Sequence, residues 1–210
     1  MADETVEGAY RLKTPEDSVE LYRSWADTYD ADFAESHGYI IPAQVAEALL
    51  AEAPSPWPVL DVGAGTGLVG AELATRSDGA VDAVDISPEM LAIAEAKGLY
   101  RERVVADLTQ RLDLPDATYG GVVSAGTFTH GHVGPVCLPE LLRVARPGAV
   151  FCLSINAQAF DQAGFGSAFA KLVAAGEISP LSFRDVPMYA PGATHAHAAD
   201  RGLIAIFQKA

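Results

Sequence analysis

Cysteine is nearly missing from this chain of 210 residues, with Cys137 and Cys152 the only two. Two cysteines make no disulfide framework, and Cys152, set in an apolar run, reads as a small buried hydrophobe kept reduced. Positive charge is also scarce: 14 Lys and Arg stand against 28 Asp and Glu, for a net charge of −14, and no basic run occurs. A phosphate backbone would be repelled, so nucleic acid is not expected as a partner. The acidity is read as a solubility device. No apolar stretch approaches a membrane span, and the start Met1-Ala2-Asp3-Glu4 lacks the apolar core of a secretory leader,. A cytoplasmic protein without membrane contact is therefore expected. Histidine is sparse too, and no Cys or acid accompanies His130 and His132 at ligand spacing, so no metal is expected,.

Half the residues are apolar and 20% are charged, a composition that folds,. The length suits one α/β domain with a single core. The chain is organised around Val59-Leu60-Asp61-Val62-Gly63-Ala64-Gly65-Thr66-Gly67-Leu68-Val69-Gly70. A β-branched run ends near an acid, and glycine then stands at every second position: a buried strand turning sharply into a helix. Bare main chain there lets a ligand approach closely, and helix-start N–H groups suit an anionic group. Two ligand classes compete. A dinucleotide count of G-x-G-x-x-G fails from Gly63, where the sixth position is Leu68, and succeeds from Gly65 through Gly67 and Gly70 only if the strand is extended,. The pattern D-x-G-x-G-x-G fits without a shift, its acid facing a ligand ammonium group.

In chain order, residues 1–13 read as a loose tail, and Thr14-Pro15-Glu16-Asp17 as a helix start,. Tyr22, Trp25, Ala26 and Tyr29 share a face of that helix, either packed or lying over a ligand as a lid. Pro42 opens a second helix that Pro54 ends. Strands are predicted at Val59–Val62, Ala80–Ile86, Arg103–Asp107, Gly121–Gly126 and Ala149–Ile155, with Ser182–Tyr189 and Leu203–Phe207 closing the sheet,. Helices are expected from the glycine turn to about Arg76, from Ser87-Pro88 to Lys97-Gly98, over 139–146, and along the aromatic face from Phe160 to Val173,. Asp85 ends the second strand, 24 residues after Asp61. There it can accept from both hydroxyls of a ribose, in either ligand class. Met90 can pack on an adenine face. Asp107 either accepts from an adenine amino group or caps its turn. His130 follows the carboxyl end of the fourth strand and is the first candidate for a general base. His195 and His197 are read as solvated or locally bonded.

These residues, in this order, resemble class I S-adenosylmethionine-dependent methyltransferases. More narrowly, Trp25-Ala26-Asp27-Thr28-Tyr29-Asp30, Val59 to Gly70, Ser87-Pro88-Glu89-Met90, Ala96 to Tyr100 and Pro139 to Val144 are similar to the methyltransferase-like proteins named for the Williams–Beuren syndrome chromosome region. The resemblance covers roughly residues 20–208, and departs where many relatives carry an acid after the aromatic at Tyr119 and this chain has Gly120-Gly121. It implies a single Rossmann-like, doubly wound, seven-stranded and mostly parallel sheet whose last strand is antiparallel. An amino-terminal tail and helical lid (residues 1–54) would precede a cofactor-binding core (residues 55–210). It also implies roles. Asp61, Gly63, Ala64, Gly65 and Gly67 would hold the methionine portion of S-adenosylmethionine, and Asp85 the ribose. Ile86 and Met90 would flank the adenine faces, and Ala106, Asp107 and Leu108 its edge. Ser124, Ala125 and Gly126 would meet the methionine ammonium group beneath Trp25 and Tyr29. The expected activity is in-line methyl transfer to a small molecule, with His130, then Tyr29, as base. An NAD(P)-linked oxidoreductase and a non-catalytic S-adenosylmethionine-binding protein are the alternatives.

Overall fold

The computed structural model describes Leu21, Arg23, Tyr29, Asp30, residues 37–129 and residues 132–210. The expectations for Trp25, His130 and most of the amino-terminal helix lie outside these residues.

Seven strands form one sheet: β1 (Val59–Val62), β2 (Val81–Asp85), β3 (Arg103–Val105), β4 (Tyr119–Phe128), β5 (Ala145–Asn156), β6 (Ser182–Pro187) and β7 (Arg201–Gln208), in the order β3-β2-β1-β4-β5-β7-β6. The first five run parallel, and β7 is antiparallel to both neighbours, β5 and β6. Helices α1 (Ile41–Glu52), α2 (Leu68–Ala74), α3 (Pro88–Ala96), α4 (Leu138–Val144) and α5 (Phe165–Ala174) cover its faces. Because side chains alternate along a strand, neighbours part company. Val59, Val123 and Cys152 enter the layer under α1, α2 and α3, with Leu49, Leu73 and Leu91. Leu60, Val122 and Phe151 enter the layer under α4 and α5, with Leu141, Phe165 and Phe169.

The helix Ile41–Glu52, which the sequence assigns to the amino-terminal unit, buries Ile41, Val45, Ala46, Ala48 and Leu49 in the first of these layers. Two boundaries move for local reasons. Asn156 Oδ1 accepts from the N–H groups of Gln158 at 2.9 Å and Ala159 at 3.3 Å, so the chain turns after β5, and Gly164, at φ +82°, breaks the run so that α5 starts only at Phe165,. β5 starts at Ala145, opposite Tyr119, and the register jumps to Gly121 opposite Val150, so Arg146-Pro147-Gly148 is an exposed irregularity inside the strand,.

The Gly120-Gly121 departure leaves β4 tethered by other means. Gly120 N–H donates to Pro58 O at 2.9 Å. The Tyr119 hydroxyl donates to Asp82 Oδ2 at 3.0 Å, and Arg101 clamps the same buried carboxylate through Nε at 2.9 Å and Nη2 at 2.6 Å,. Both cysteines are buried and unpaired, their thiols pushed up to about 12 by burial. No helix among the described residues is long and apolar enough to cross a membrane.

Candidate active site

The chain runs outward from β1 to β3 and then returns to the other side of β1 as β4. At such a reversal the loops beyond the strand ends diverge and leave a crevice. A cleft of about 1020 Å³, counted with its open mouth, lies there. One end is walled by Asp107, Leu108 and Thr109 after β3, and by Asp85, Ile86 and Met90 after β2. The glycine turn supplies the floor through Gly63, Ala64, Gly65 and Thr66. Ala125, Gly126 and Thr127 of β4 lead to the other end, where His132, Val133, Tyr29, Tyr39 and Pro42 stand.

The turn is built from hydrogen bonds that use up its main chain. Gly63 and Ala64 N–H groups donate to Val84 O at 2.8 and 3.1 Å, and Gly65 N–H to Asp85 Oδ2 at 2.8 Å. Gly63 has φ +66°, and a Cβ there would stand 1.9 Å from Thr127 Oγ1, so no other residue fits,. At Gly65 the space a Cβ would take is open, which leaves bare backbone toward the cleft. The turn is also tied to the amino-terminal segment. The Thr66 hydroxyl and the Lys97 ammonium group both donate to the Asp30 carboxylate, and Lys97 Nζ also reaches Thr66 O at 2.7 Å.

Two acids flank the turn. Asp85 accepts from Ser87 N–H on Oδ1 at 2.8 Å and from Gly65 N–H on Oδ2. Burial raises its pKa, against the lowering effect of these donors,. Each oxygen keeps a second lone pair for a ligand hydroxyl. Asp61 is fully buried; its Oδ2 accepts from the Tyr100 hydroxyl at 2.7 Å, and its Oδ1 has no hydrogen-bond partner among the described residues. Burial, with a smaller push from Asp85, raises Asp61 to about 7 despite the Tyr100 bond. A cationic donor reaching Oδ1 would satisfy that atom and restore the carboxylate. Tyr100 itself accepts from Gly70 N–H at 3.2 Å, and a Cβ on Gly70 would meet its ring at 2.5 Å. Gly70, the third glycine of the dinucleotide count, is thus occupied by tyrosine packing.

Of the remaining residues expected at the site, Asp107 accepts from Thr109 N–H and Oγ1 at 2.8 Å each, so it caps its turn while also facing the cleft. Gly67, Ala106 and Ser124 stand behind the cleft wall. Gly67 packs toward Leu99 and Tyr100, Ala106 N–H pairs with Asp85 O at 2.9 Å, and Ser124 Oγ donates to Val62 O at 2.7 Å, tying β4 to β1. Sequence reasoning missed Tyr100, Tyr39, Thr127 and the Asp30–Thr66–Lys97 tie. Tyr39 and Thr127 lie in no quoted motif, while Asp30, Thr66, Lys97 and Tyr100 lie in stretches that carry the resemblance but whose side-chain contacts run between segments distant in sequence. His197 bonds locally to Asp200 Oδ2 at 3.0 Å, as expected. His195 differs from the solvated reading: its ring packs edge-on between His37 and Tyr189, with centroids 4.8 and 4.3 Å away, and burial lowers its pKa.

Residues 59–148 match the family described as "Methyltransferase domain". Residues 59–148 are thus a methyltransferase domain. The human methyltransferase-like protein 27 is 35% identical over 153 residues, covering 71% of this chain, and the chain spans 62% of that relative's length. Among solved structures, the Burkholderia thailandensis 1,6-didemethyltoxoflavin-N1-methyltransferase, with its substrate and S-adenosylhomocysteine bound, shares the fold at a TM-score of 0.62 and 20% identity, covering 95% of this chain and 92% of that one. The [4+2]-cyclase SpnF shares it at a TM-score of 0.65 and 14% identity, covering 94% and 97%. The methyltransferase sheet, with its reversed final strand, is the one expected from the sequence. S-adenosylmethionine is the cofactor of this domain, and the orphaned Asp61 Oδ1, the open space at Gly65 and the lone pairs of Asp85 fit its ammonium, backbone and sugar groups.

Proposed function

We propose that this protein transfers a methyl group from S-adenosylmethionine to a small-molecule acceptor. The observation that carries the reading is one cleft lined by Asp85 after β2, by the glycine turn and by β4, with the orphaned Oδ1 of Asp61 buried two residues before that turn. Concave clefts lined mainly by apolar groups with a few polar ones take small molecules, and the net charge of −14 disfavours nucleic acid,. Bound S-adenosylmethionine supplies an electrophilic methyl group on a sulfonium centre. In this reading Asp61, with main chain of Gly63 to Gly65, holds the amino-acid end, and Asp85 grips the sugar. Ile86, Met90, Asp107 and Leu108 take the base, and Ala125 and Gly126 lie beside the reacting end. Gly67, Ala106 and Ser124 support these groups from behind. Trp25 and Tyr29 close over the cofactor. The protein's task is to align the acceptor with the methyl carbon and to exclude water. A neutral acceptor loses a proton, which His130 accepts, with Tyr29 as the second candidate.

Fold alone does not decide chemistry, as the cyclase with the same architecture makes plain,. Two experiments test the reading. Calorimetry should show S-adenosylhomocysteine binding and no response to NADH; tight NADH binding with no response to the sulfur ligand would end the proposal. Incubation with methyl-labelled S-adenosylmethionine and a metabolite extract should give a labelled small molecule. No labelled product across broad extracts would point instead to a protein that binds the cofactor without using it.

A further inference from the structure

Three groups from three parts of the chain meet beside the glycine turn. Asp30 offers one carboxylate oxygen to the Thr66 hydroxyl and the other to the Lys97 ammonium group. Lys97 Nζ completes the ring by donating to Thr66 O at 2.7 Å. Each partner of Asp30 is itself well placed. Thr66 is buried in the turn, just before the Gly67 that opens α2. Lys97 caps the carboxyl end of α3, where the helix dipole favours a cation,.

A lone ion pair with both side chains about a third exposed, as Asp30 and Lys97 are, would contribute little,. This one differs because its cation also holds main chain of the turn, and its anion also holds a side chain of the turn. A carboxylate gripped on both oxygens by charge-assisted bonds is fixed in two directions. The tie therefore sets where the backbone at Asp30 stands relative to Thr66. Tyr29, the residue before Asp30, lines the cleft, and so does Thr66. Asp30 and Lys97 do not line it. Their effect on a ligand has to pass through a neighbour that does.

We infer that Asp30 is a positioning residue for the methyl donor, gripped by Thr66 and Lys97 so that Tyr29 is held over the bound cofactor. The inference rests on the methyltransferase reading and assigns no contact between Asp30 and the ligand.

The test is a double-mutant cycle in the full chain, read by calorimetry with S-adenosylhomocysteine. Asp30→Ala removes both bonds and should weaken binding ~10-fold, while Lys97→Met removes one partly exposed partner and should weaken it ~3-fold. Tyr29→Ala should weaken binding as well. Either substitution added to Tyr29→Ala should then cost less than about twofold more. A merely structural role predicts losses that add, so the same loss with and without Tyr29 would overturn the inference. Wild-type affinity in Asp30→Ala, or in Tyr29→Ala, would overturn it too. Asp30→Asn, which keeps an acceptor for Thr66 and the parent's volume, replaces Asp30→Ala in the cycle if that variant does not fold; its expected loss is that of Lys97→Met. Failure of the wild-type chain to bind S-adenosylhomocysteine would remove the underlying reading, an outcome distinct from additive losses.

Discussion

The two ends of the cleft are made in different ways. The end at β1 and β2 is main chain fixed by main chain: Gly63, Ala64 and Gly65 are locked to Val84 and Asp85, and the side chains facing it come from three consecutive strand ends. The end beyond β4 is made of side chains gathered from far apart, Tyr29 and Tyr39 from the amino-terminal third, Thr127 and His132 from the β4 side, with Tyr189 behind them. A backbone-built site tolerates almost no substitution and suits an invariant ligand. A side-chain-built one can be re-lined without disturbing the sheet. On the proposed reading, the methyl donor takes the first end and the methyl acceptor the second.

The largest expected break in that contrast is Gly63→Val. Its left-handed backbone and the collision with Thr127 should cost about 3 kcal/mol or more of stability in urea denaturation and abolish S-adenosylhomocysteine binding,. A variant with wild-type stability and affinity would show that the turn is not rigid. Asp85→Ala comes next, with cofactor affinity falling ~10- to 100-fold by calorimetry, as hydrogen bonds to a charged group are lost,. Tyr100→Phe leaves Gly70 N–H and Asp61 Oδ2 without their shared hydroxyl, and should lower stability by about 1–3 kcal/mol,. Unchanged denaturation midpoints would mean that water takes its place.

Asp61 gives a pH signature. Its carboxyl ionises near 3.8 in an open chain and near 7 in the ligand-free fold. The unfolded state therefore releases this proton first. The group's contribution to stability falls as pH rises from about 3.8 to about 7 and is level above,. A cationic ligand group reverses the preference, so S-adenosylhomocysteine affinity should climb with pH up to about 7 and then flatten,. Asp61→Asn should remove both trends, and a slope that survives in that variant would assign the titration to another group. The smallest effect belongs to the other end of the cleft: His132→Ala should leave cofactor affinity within about twofold, since it lies across β4 from the adenosine-facing strands,. A larger loss would mean that the two ends are coupled.

The same contrast explains what the sequence disclosed. Strand β1, buried on both faces, is written as an unbroken run, and the glycine spacing after it has few other uses. The β2 side of the cleft was therefore legible down to Asp85 and Met90, both of which face it. The role of Tyr100 was not, because its hydroxyl bridges Asp61 and Gly70, 39 and 30 positions away, and no local pattern reports such a contact. Nor was Tyr39, whose place depends on a bridge to Tyr189, 150 positions along the chain. Periodicity reports which face is apolar, but not which distant segment will lie against it. The Phe160 to Val173 stretch shows a different miss: its aromatic face is real, yet the chain turns through residues 157–164 on main-chain bonds and takes a left-handed step at Gly164, φ +82°, so the helix begins later than its pattern does.

The Asp30 carboxylate grips Thr66 from the glycine turn and Lys97 from the end of α3 together. One side chain thus bridges the glycine turn and the end of the helix 31 positions further on, so the floor of the cleft and the helix beside it share a single anchor.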